Sequence, residues 1–309
     1  MAKEIDLSII IVSFNTKTLT RECIESVAKY TKGITYEFIA VDNNSGDGSV
    51  EMLKGLAKKY PLKLIANKEN TGFGSGNNGG LKIAGGRYML LLNSDTLIED
   101  NVLGEMVDYM DENPGTGIAS CALKFENGTI QGTGGYFPTL GRVLAWMSFT
   151  DDLPLLYKLI KPFHPMHNLS PLGKNEKFFE KNREVDWLTG AFFMMRREVF
   201  EKVGYFDKDY FMYVEEVDYC FRTKKLGCEI RYLPKWGIIH YGGASSTSEF
   251  SIINEIKGIK TFYKKHYPAW QMPFLTLILK FGTFLRIAIF GLLKGFQTAK
   301  IYAKAFAAV

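Results

Sequence analysis

ENTGFGSGNNGG, residues 69–80, decides how the first third of the chain is read. Gly74, Gly76 and Gly79 make a full G-x-G-x-x-G match between the apolar run KLIAN and a segment with helical spacing. In a dinucleotide-binding unit such glycines turn tightly after the first strand to admit a pyrophosphate, and an acid about twenty residues on holds a ribose. Asp95 stands at roughly that distance. Two features oppose this reading. Asn67 and the polar residues from Lys68 to Thr71 separate the apolar run from its first glycine, which is too long a connection for the tight turn. Two complete βα units also precede the motif, so it follows the third strand and not the first.

Outward from the glycines, strand-like and helix-like segments alternate. LSIIIVSF, YEFIAVD, PLKLIAN and RYMLLLN are short, continuous apolar runs of the kind that form buried strands. KTLTRECIESVAKYT and SGDGSVEMLKGLAKKY space their apolar residues for helices. This alternation predicts an α/β fold, with a mostly parallel, Rossmann-like sheet flanked by helices and ligands outside the carboxyl ends of its strands. Polar residues gather at those ends: Ser13 and Asn15, Asp42 and Asn43, Asn67 and Asn70, Asn93 and Asp95.

The chain has 309 residues, 46% hydrophobic and 23% charged, which suits one or two domains with a sizeable core. Its formal charge is +5, but nine Lys or Arg follow the last acid, Glu255, so residues 1–255 carry −4. Positive charge belongs to the tail, and no nucleic-acid partner is expected. MAKEIDLSIIIV lacks the features of a secretory signal, so a cytoplasmic body is expected. Cys23, Cys121, Cys220 and Cys228 show no C-x-x-C spacing and read as reduced thiols.

SIIIVSFN, EFIAVDNNSGDGS, ENTGFGSGNNGG and LLLNSD, in this order, resemble the nucleotide-sugar-binding half of the family 2 glycosyltransferases, which have the GT-A fold. The stretch VDWLTGAFFMMRREVFEKVGYFDKDYFMYVEEVDYCFRTKKLG and the following IIHYGG resemble the acceptor half of their bacterial rhamnosyltransferase-like branch. The resemblance covers about residues 6–245 and implies a transferase domain over 1–245. Its nucleotide-sugar half is 1–100, its acceptor half is 101–245, and residues 246–309 form a helical tail.

The resemblance implies a donor site of Ser13, Asn15, Asp42, Asn44, Asn70, Gly72, Phe73, Asn77, Asn93 and Ser94. Asp42 would accept from the imide N–H of uracil or thymine, unless it and Ser45 simply cap a helix. The glycine run would let backbone approach the donor, helped by the neutral amides of Asn70, Asn77 and Asn78. NSD stands in the place of the family's D-x-D motif. It implies Asp95 as ligand of a divalent metal, Mn²⁺ or Mg²⁺, with His240 completing the site, while Asn93 replaces the first acid. In YVEEVDYCFR the second acid of the pair, Glu216, is implied as the base, with Glu215 as the other candidate. Acids near a helix start are also favoured without any catalytic role. Trp187, Thr189 and Gly190 would line the acceptor side, or pack in the core.

The implied activity is an inverting glycosyltransferase that moves a sugar, L-rhamnose foremost, from a dTDP- or UDP-linked donor to a glycan or lipid-linked acceptor. Another donor sugar, or a silent carbohydrate- or nucleotide-binding module, is the alternative. Residues 141–184 do not read as regular structure and are expected to form a lid or acceptor loop. In the tail, Phe274 to Leu293 is long enough to span a bilayer, but Lys280 and Arg286 fall within it. On one helical wheel Lys280, Arg286, Lys294, Lys300 and Lys304 share an arc of about 160°, which predicts an amphipathic helix at a membrane surface over 274–309. The competing expectation is a pair of helices, broken at Gly291 or Gly295, packed on the core or on a second copy of the chain.

Overall fold

The computed structural model describes residues 4–153, 156–165, 176–242 and 248–309. Its first half follows the alternation: β1 (Leu7–Ser13), α1 (Lys17–Tyr30), β2 (Tyr36–Asp42), α2 (Ser49–Leu56), β3 (Leu62–Ala66), α3 (Phe73–Leu81) and β4 (Tyr88–Leu92). There follow β5 (Thr96–Leu97), α4 (Val102–Glu112), β6 (Thr116–Lys124), β7 (Gly134–Gly135), α5 (Leu140–Met147) and α6 (Tyr157–Ile160). The remainder is β8 (Arg183–Glu184), β9 (Trp187–Leu188), β10 (Phe192–Arg196), α7 (Arg197–Val203), α8 (Glu215–Lys224), β11 (Glu229–His240), α9 (Ser248–His266), α10 (Gln271–Lys294) and α11 (Phe296–Ala308).

The main sheet has the order β3-β2-β1-β4-β10-β6-β11-β5, with β8 pairing β11 from the side. It is mixed. β1 pairs parallel with β2 and β4, and β6 parallel with β11, but β10 runs antiparallel between β4 and β6, and β5 and β8 run against β11. Because side chains alternate across a strand, Ile9 and Ile11 face one helical layer and Ile10 the other. On the first side lie α1, α2 and α4, through Ile24, Leu53 and Met106 among others. The second layer includes Leu81, Val143, Val217, Phe262 and Leu279, so the C-terminal helices share the main core.

Residues 141–184 correct the expectation of an irregular stretch. Leu140–Met147 is a helix, and the Thr139 side chain accepts from Arg142 N at its start. Residues 154–155 and 166–175 of the expected lid lie outside the described residues.

The tail departs from the single amphipathic helix and takes the competing form, two helices with Leu275, Leu279 and Ala305 in the main core. It is broken at Gly295, in the left-handed region at φ +87°, so the five cations do not share one helix. Phe290 of α10 meets Tyr302 of α11 with ring centroids 5.4 Å apart. Arg286, expected to face headgroups, is 2% exposed. Its guanidinium donates to the carbonyls of Trp146 (2.8 Å) and Met147, which end α5. A cation there satisfies terminal carbonyls and opposes the helix dipole, which makes a buried arginine tolerable. The outward face of α10 is apolar instead: Leu277 is 67% and Phe284 65% exposed.

Candidate active site

The carboxyl ends of β1 and β4, the start of α3, the link from β9 to β10, the end of β11 and the segment before α8 enclose a cavity of about 550 Å³. Asn70, Gly72, Phe73, Asn93, Ser94 and Asp95 line it together with His240, which adjoins Asp95, and Thr189, Gly190, Glu215 and Glu216 complete the lining. Five of the donor-side sequence candidates stand elsewhere. Ser13 is buried in a hydroxyl cluster with Thr16 and Thr20, at 3.2 and 3.0 Å, and Thr16 passes the contact on to Ser94 at 3.0 Å. Asn15, at φ +55°, accepts from Gly46 N and so ties the loops after β1 and β2 together. Asn44 is exposed at φ +65°. Asn77 is buried in α3 and donates to the Phe73 carbonyl. Asp42 is 0% exposed: Oδ2 accepts from Ser45 N at 2.9 Å, and Oδ1 has no hydrogen-bond partner among the described residues. The α2 cap is Gly48 and not this pair.

The glycine run is itself helix, from Phe73 to Leu81. Helical glycines cost about 0.5–1 kcal/mol each relative to alanine, so packing must require them. A Cβ on Gly76 would stand 3.0 Å from Val12, and one on Gly80 2.4 Å from Ile10, which brings α3 hard against β1. Gly72, at φ +81°, is pressed by the far wall: its Cβ would meet the Phe211 carbonyl at 2.1 Å. Asn43 pins this turn. Its amide nitrogen donates to the Gly72 carbonyl at 3.0 Å and its oxygen accepts from Asn67 at 2.8 Å. Asn78 bonds both the N–H and the carbonyl of Phe206.

Trp187 lies outside the cavity, buried, with its indole N–H donating to the Phe163 carbonyl at 3.2 Å. Gly190 is small because the Phe73 ring lies against it, where a Cβ would approach Cε1 to 2.5 Å.

Asp95 and His240 meet through strand pairing. β5 lies antiparallel to the end of β11, with Thr96 opposite His240, so Asp95 adjoins the imidazole. His240 Nε2 is 3.4 Å from Asp95 Oδ1 and 3.2 Å from Asn93 Nδ2. On the other side Nδ1 lies 2.7 Å from Gln131 Oε1, which can only accept, so Nδ1 carries a proton and Nε2, the nitrogen that is free for a ligand when the ring is neutral, faces Asp95 and the cavity. That is the arrangement a metal-ligating histidine needs. Burial pushes the Asp95 carboxyl up, but hydrogen bonding and charge from His240 outweigh it and hold it below the usual range. No group of three His, Cys, Asp or Glu that could hold a metal exists among the described residues. Asp95 Oδ1 and His240 Nε2 are spaced as two ligands of one cation can be, and other ligands would come from a bound phosphate or water. Gln131 carried no sequence signal.

Facing this corner, α8 begins with three acids. Asp218 is engaged elsewhere, by His266 Nε2 at 2.6 Å and Arg222 Nε at 2.8 Å. Glu215 and Glu216 line the cavity, and each has a buried Oε2 without a hydrogen-bond partner among the described residues. Tyr213 and Val214 precede them at φ +69° and +73°. This conformation is strained for a β-branched residue and is retained where the surroundings enforce it. Gly258 of α9 makes room, since a Cβ there would stand 2.7 Å from Val214 Cγ2. Burial, and then the charge of Glu216, raise the Glu215 carboxyl well above the usual range. Glu216 is pushed up to about 7 by burial, which a backbone hydrogen bond, the charge of His164 and, least, the hydrogen bond with Glu215 partly offset. A protonated Glu215 donating to an ionised Glu216 satisfies both shifts.

The chain is similar to N-acetylglucosaminyl-diphospho-decaprenol L-rhamnosyltransferase of Mycobacterium tuberculosis, 24% identical over 220 residues that make up 67% of each chain. Among solved structures, mannosyltransferase PcManGT of Pyrobaculum calidifontis, determined with GDP-Man and Mn²⁺, matches with a TM-score of 0.59 at 15% identity. That match covers 99% of this chain and 81% of that one. S. aureus TarS matches with a TM-score of 0.56 at 18% identity over 90% of this chain, which spans only 43% of TarS. These structural likenesses support a GT-A-like fold. The family model described as Glycosyl transferase family 2 matches residues 8–204, and the chain belongs to that family and is a glycosyltransferase.

Proposed function

We propose that the chain transfers L-rhamnose from dTDP-rhamnose, with inversion, to a hydroxyl of a glycan or lipid-linked acceptor in cell-surface polysaccharide synthesis. The observation that carries the inverting reaction is a single cavity lined by Asp95 and His240 on one side and the Glu215–Glu216 pair on the other. In this reading Glu216 takes the proton of the acceptor hydroxyl as its oxygen attacks the anomeric carbon. The bond from that carbon to the diphosphate breaks, and its electron pair leaves with the nucleotide. Glu215, held protonated, donates to Glu216 and fixes the pair. Asp95 and His240 would hold a divalent cation, Mn²⁺ or Mg²⁺, and Gln131 the tautomer of His240. When bound, such a cation neutralises charge on the leaving diphosphate. Asn70, Phe73, Asn93 and Ser94 contact the donor, and Thr189 and Gly190 the acceptor.

Asp42, with one unpartnered oxygen, serves the base after a small opening of the turn at Ser45. Rhamnose as the sugar is supported by the mycobacterial relative. Residues 1–245 carry out transfer. Residues 246–309 contact the inner face of the cell membrane through the exposed face of α10. A silent binding module would not need unpartnered, proton-binding glutamates opposite Asp95. The test is a screen of nucleotide sugars for hydrolysis with Mn²⁺, Mg²⁺ or chelator. Metal-dependent hydrolysis of dTDP-rhamnose above the UDP-sugars is expected, and preference for another donor would overturn the choice of sugar.

A further inference from the structure

Behind the wall that leads into the glutamate pair lies a second cavity, of about 360 Å³. Phe211, Met212 and Tyr213 line both cavities and form the partition between them. The opposite side of the second cavity is one face of α9, where Asn254, Lys257, Thr261 and Lys264 follow at helical spacing. Its charge is unbalanced. Asp209, the acid in the lining, is already engaged by Lys265 at 2.7 Å. Lys260 donates to the Val309 carbonyl. Lys257 and Lys264 are exposed and have no ion-pair partner among the described residues.

We propose that this second cavity binds a phosphate or diphosphate group carried by the acceptor. Two ammonium groups on one helix face, with the Thr261 hydroxyl between them, supply charge-assisted and neutral donors to an oxyanion. A neutral glycan gives such cations nothing to pair with. The two cavities share Phe211–Tyr213, so an anion held against α9 lies one wall away from the cavity that Glu216 lines. The proposal rests on the reading of the first cavity as the transfer site and names the acceptor class for it. Phospholipid headgroups offer the same chemistry, so the two sources must be separated.

Calorimetry of inorganic pyrophosphate with the full chain, in chelator to silence the donor corner, tests the assignment. The unmodified chain, Asp95→Ala and Lys257→Arg/Lys264→Arg should bind alike, and Lys257→Ala/Lys264→Ala at least about tenfold more weakly, the scale of one lost charged hydrogen bond. No pyrophosphate binding, unchanged binding in the double alanine variant, or loss in Asp95→Ala alone would overturn it. Co-sedimentation with phosphatidylcholine vesicles, with and without phosphatidylglycerol, provides the second arm. If the double alanine variant loses only vesicle binding and keeps its pyrophosphate affinity, the lysines read lipid headgroups and the proposal fails. Failure of the transferase reading would appear separately, as absent nucleotide-sugar hydrolysis by the unmodified chain.

Discussion

Glu215 and Glu216 are adjacent in sequence, and the proposed mechanism gives them different roles although burial raises both carboxyls. A base must be ionised to accept a proton, so kcat/KM should rise with pH through about 7, where Glu216 titrates, and level off above it. Glu216→Gln should abolish that limb and lower turnover by about a hundredfold or more. The same shift bears on stability. Between the ordinary value of 4.5 and about 7 the folded chain holds a proton that the unfolded chain releases, so stability falls as pH rises through that window. Glu216→Gln should therefore raise Tm at pH 8 and leave it nearly unchanged at pH 4, as thermal melts at the two pH values would show. A pH-independent rate, or equal Tm changes at both pH values, would contradict this account of the pair. The acids were legible from YVEEVDYCFR. The strain at Tyr213–Val214 was not, because the room for it is made by Gly258 on α9, far away in sequence.

Elements explain which candidates came together. The alternation of short apolar runs with helical spacing was enough to find β1 to β4 and the helices between them. It could not find β10, a reversed strand whose residues read like any buried strand, nor the pairing of β5 with β11 that sets Asp95 beside His240. The glycine run misled in a different way. Its glycines serve the approach of α3 to β1 and of Gly72 to Phe211, which depends on partners far away in sequence. In α10 the wheel gave an amphipathic helix but assigned Arg286 to the wrong environment, since nothing local marks it as the cap of α5. Trp270, Phe274, Leu277, Phe281 and Phe284 are exposed and alternate at spacings of four and three, forming one apolar stripe. Each such side chain can gain about 1.5–3 kcal/mol on full burial. Leu277→Glu/Phe281→Glu/Phe284→Glu should lower co-sedimentation with vesicles containing phosphatidylglycerol more than tenfold, by the charge and apolar loss together, with Tm preserved. The same spacing would suit a two-helix seam between copies. If the variant sediments with vesicles as before and only its mass by light scattering falls, the membrane role is wrong.

At the scale of the whole molecule, two layers of helices on a mixed sheet hold a cavity whose opposite walls come from distant parts of the chain. Strand ends from the first hundred residues supply Asp95, and α8 supplies the glutamates. Sequence order could assign each wall, but it could not reveal that Ser13, Asn15, Asn44 and Asn77 are spent on loops and helix, nor that Trp187 is core. The central claim is that one wall binds the donor with its cation and the other performs transfer. Calorimetry of donor with Mn²⁺, run beside turnover on Asp95→Ala and Glu216→Gln, tests it most directly. Asp95→Ala should lose metal-dependent donor binding, and Glu216→Gln should bind donor as the unmodified chain does yet fail to turn it over. If Asp95→Ala binds donor with unchanged metal dependence, or Glu216→Gln keeps its turnover, the assignment of the two walls is contradicted.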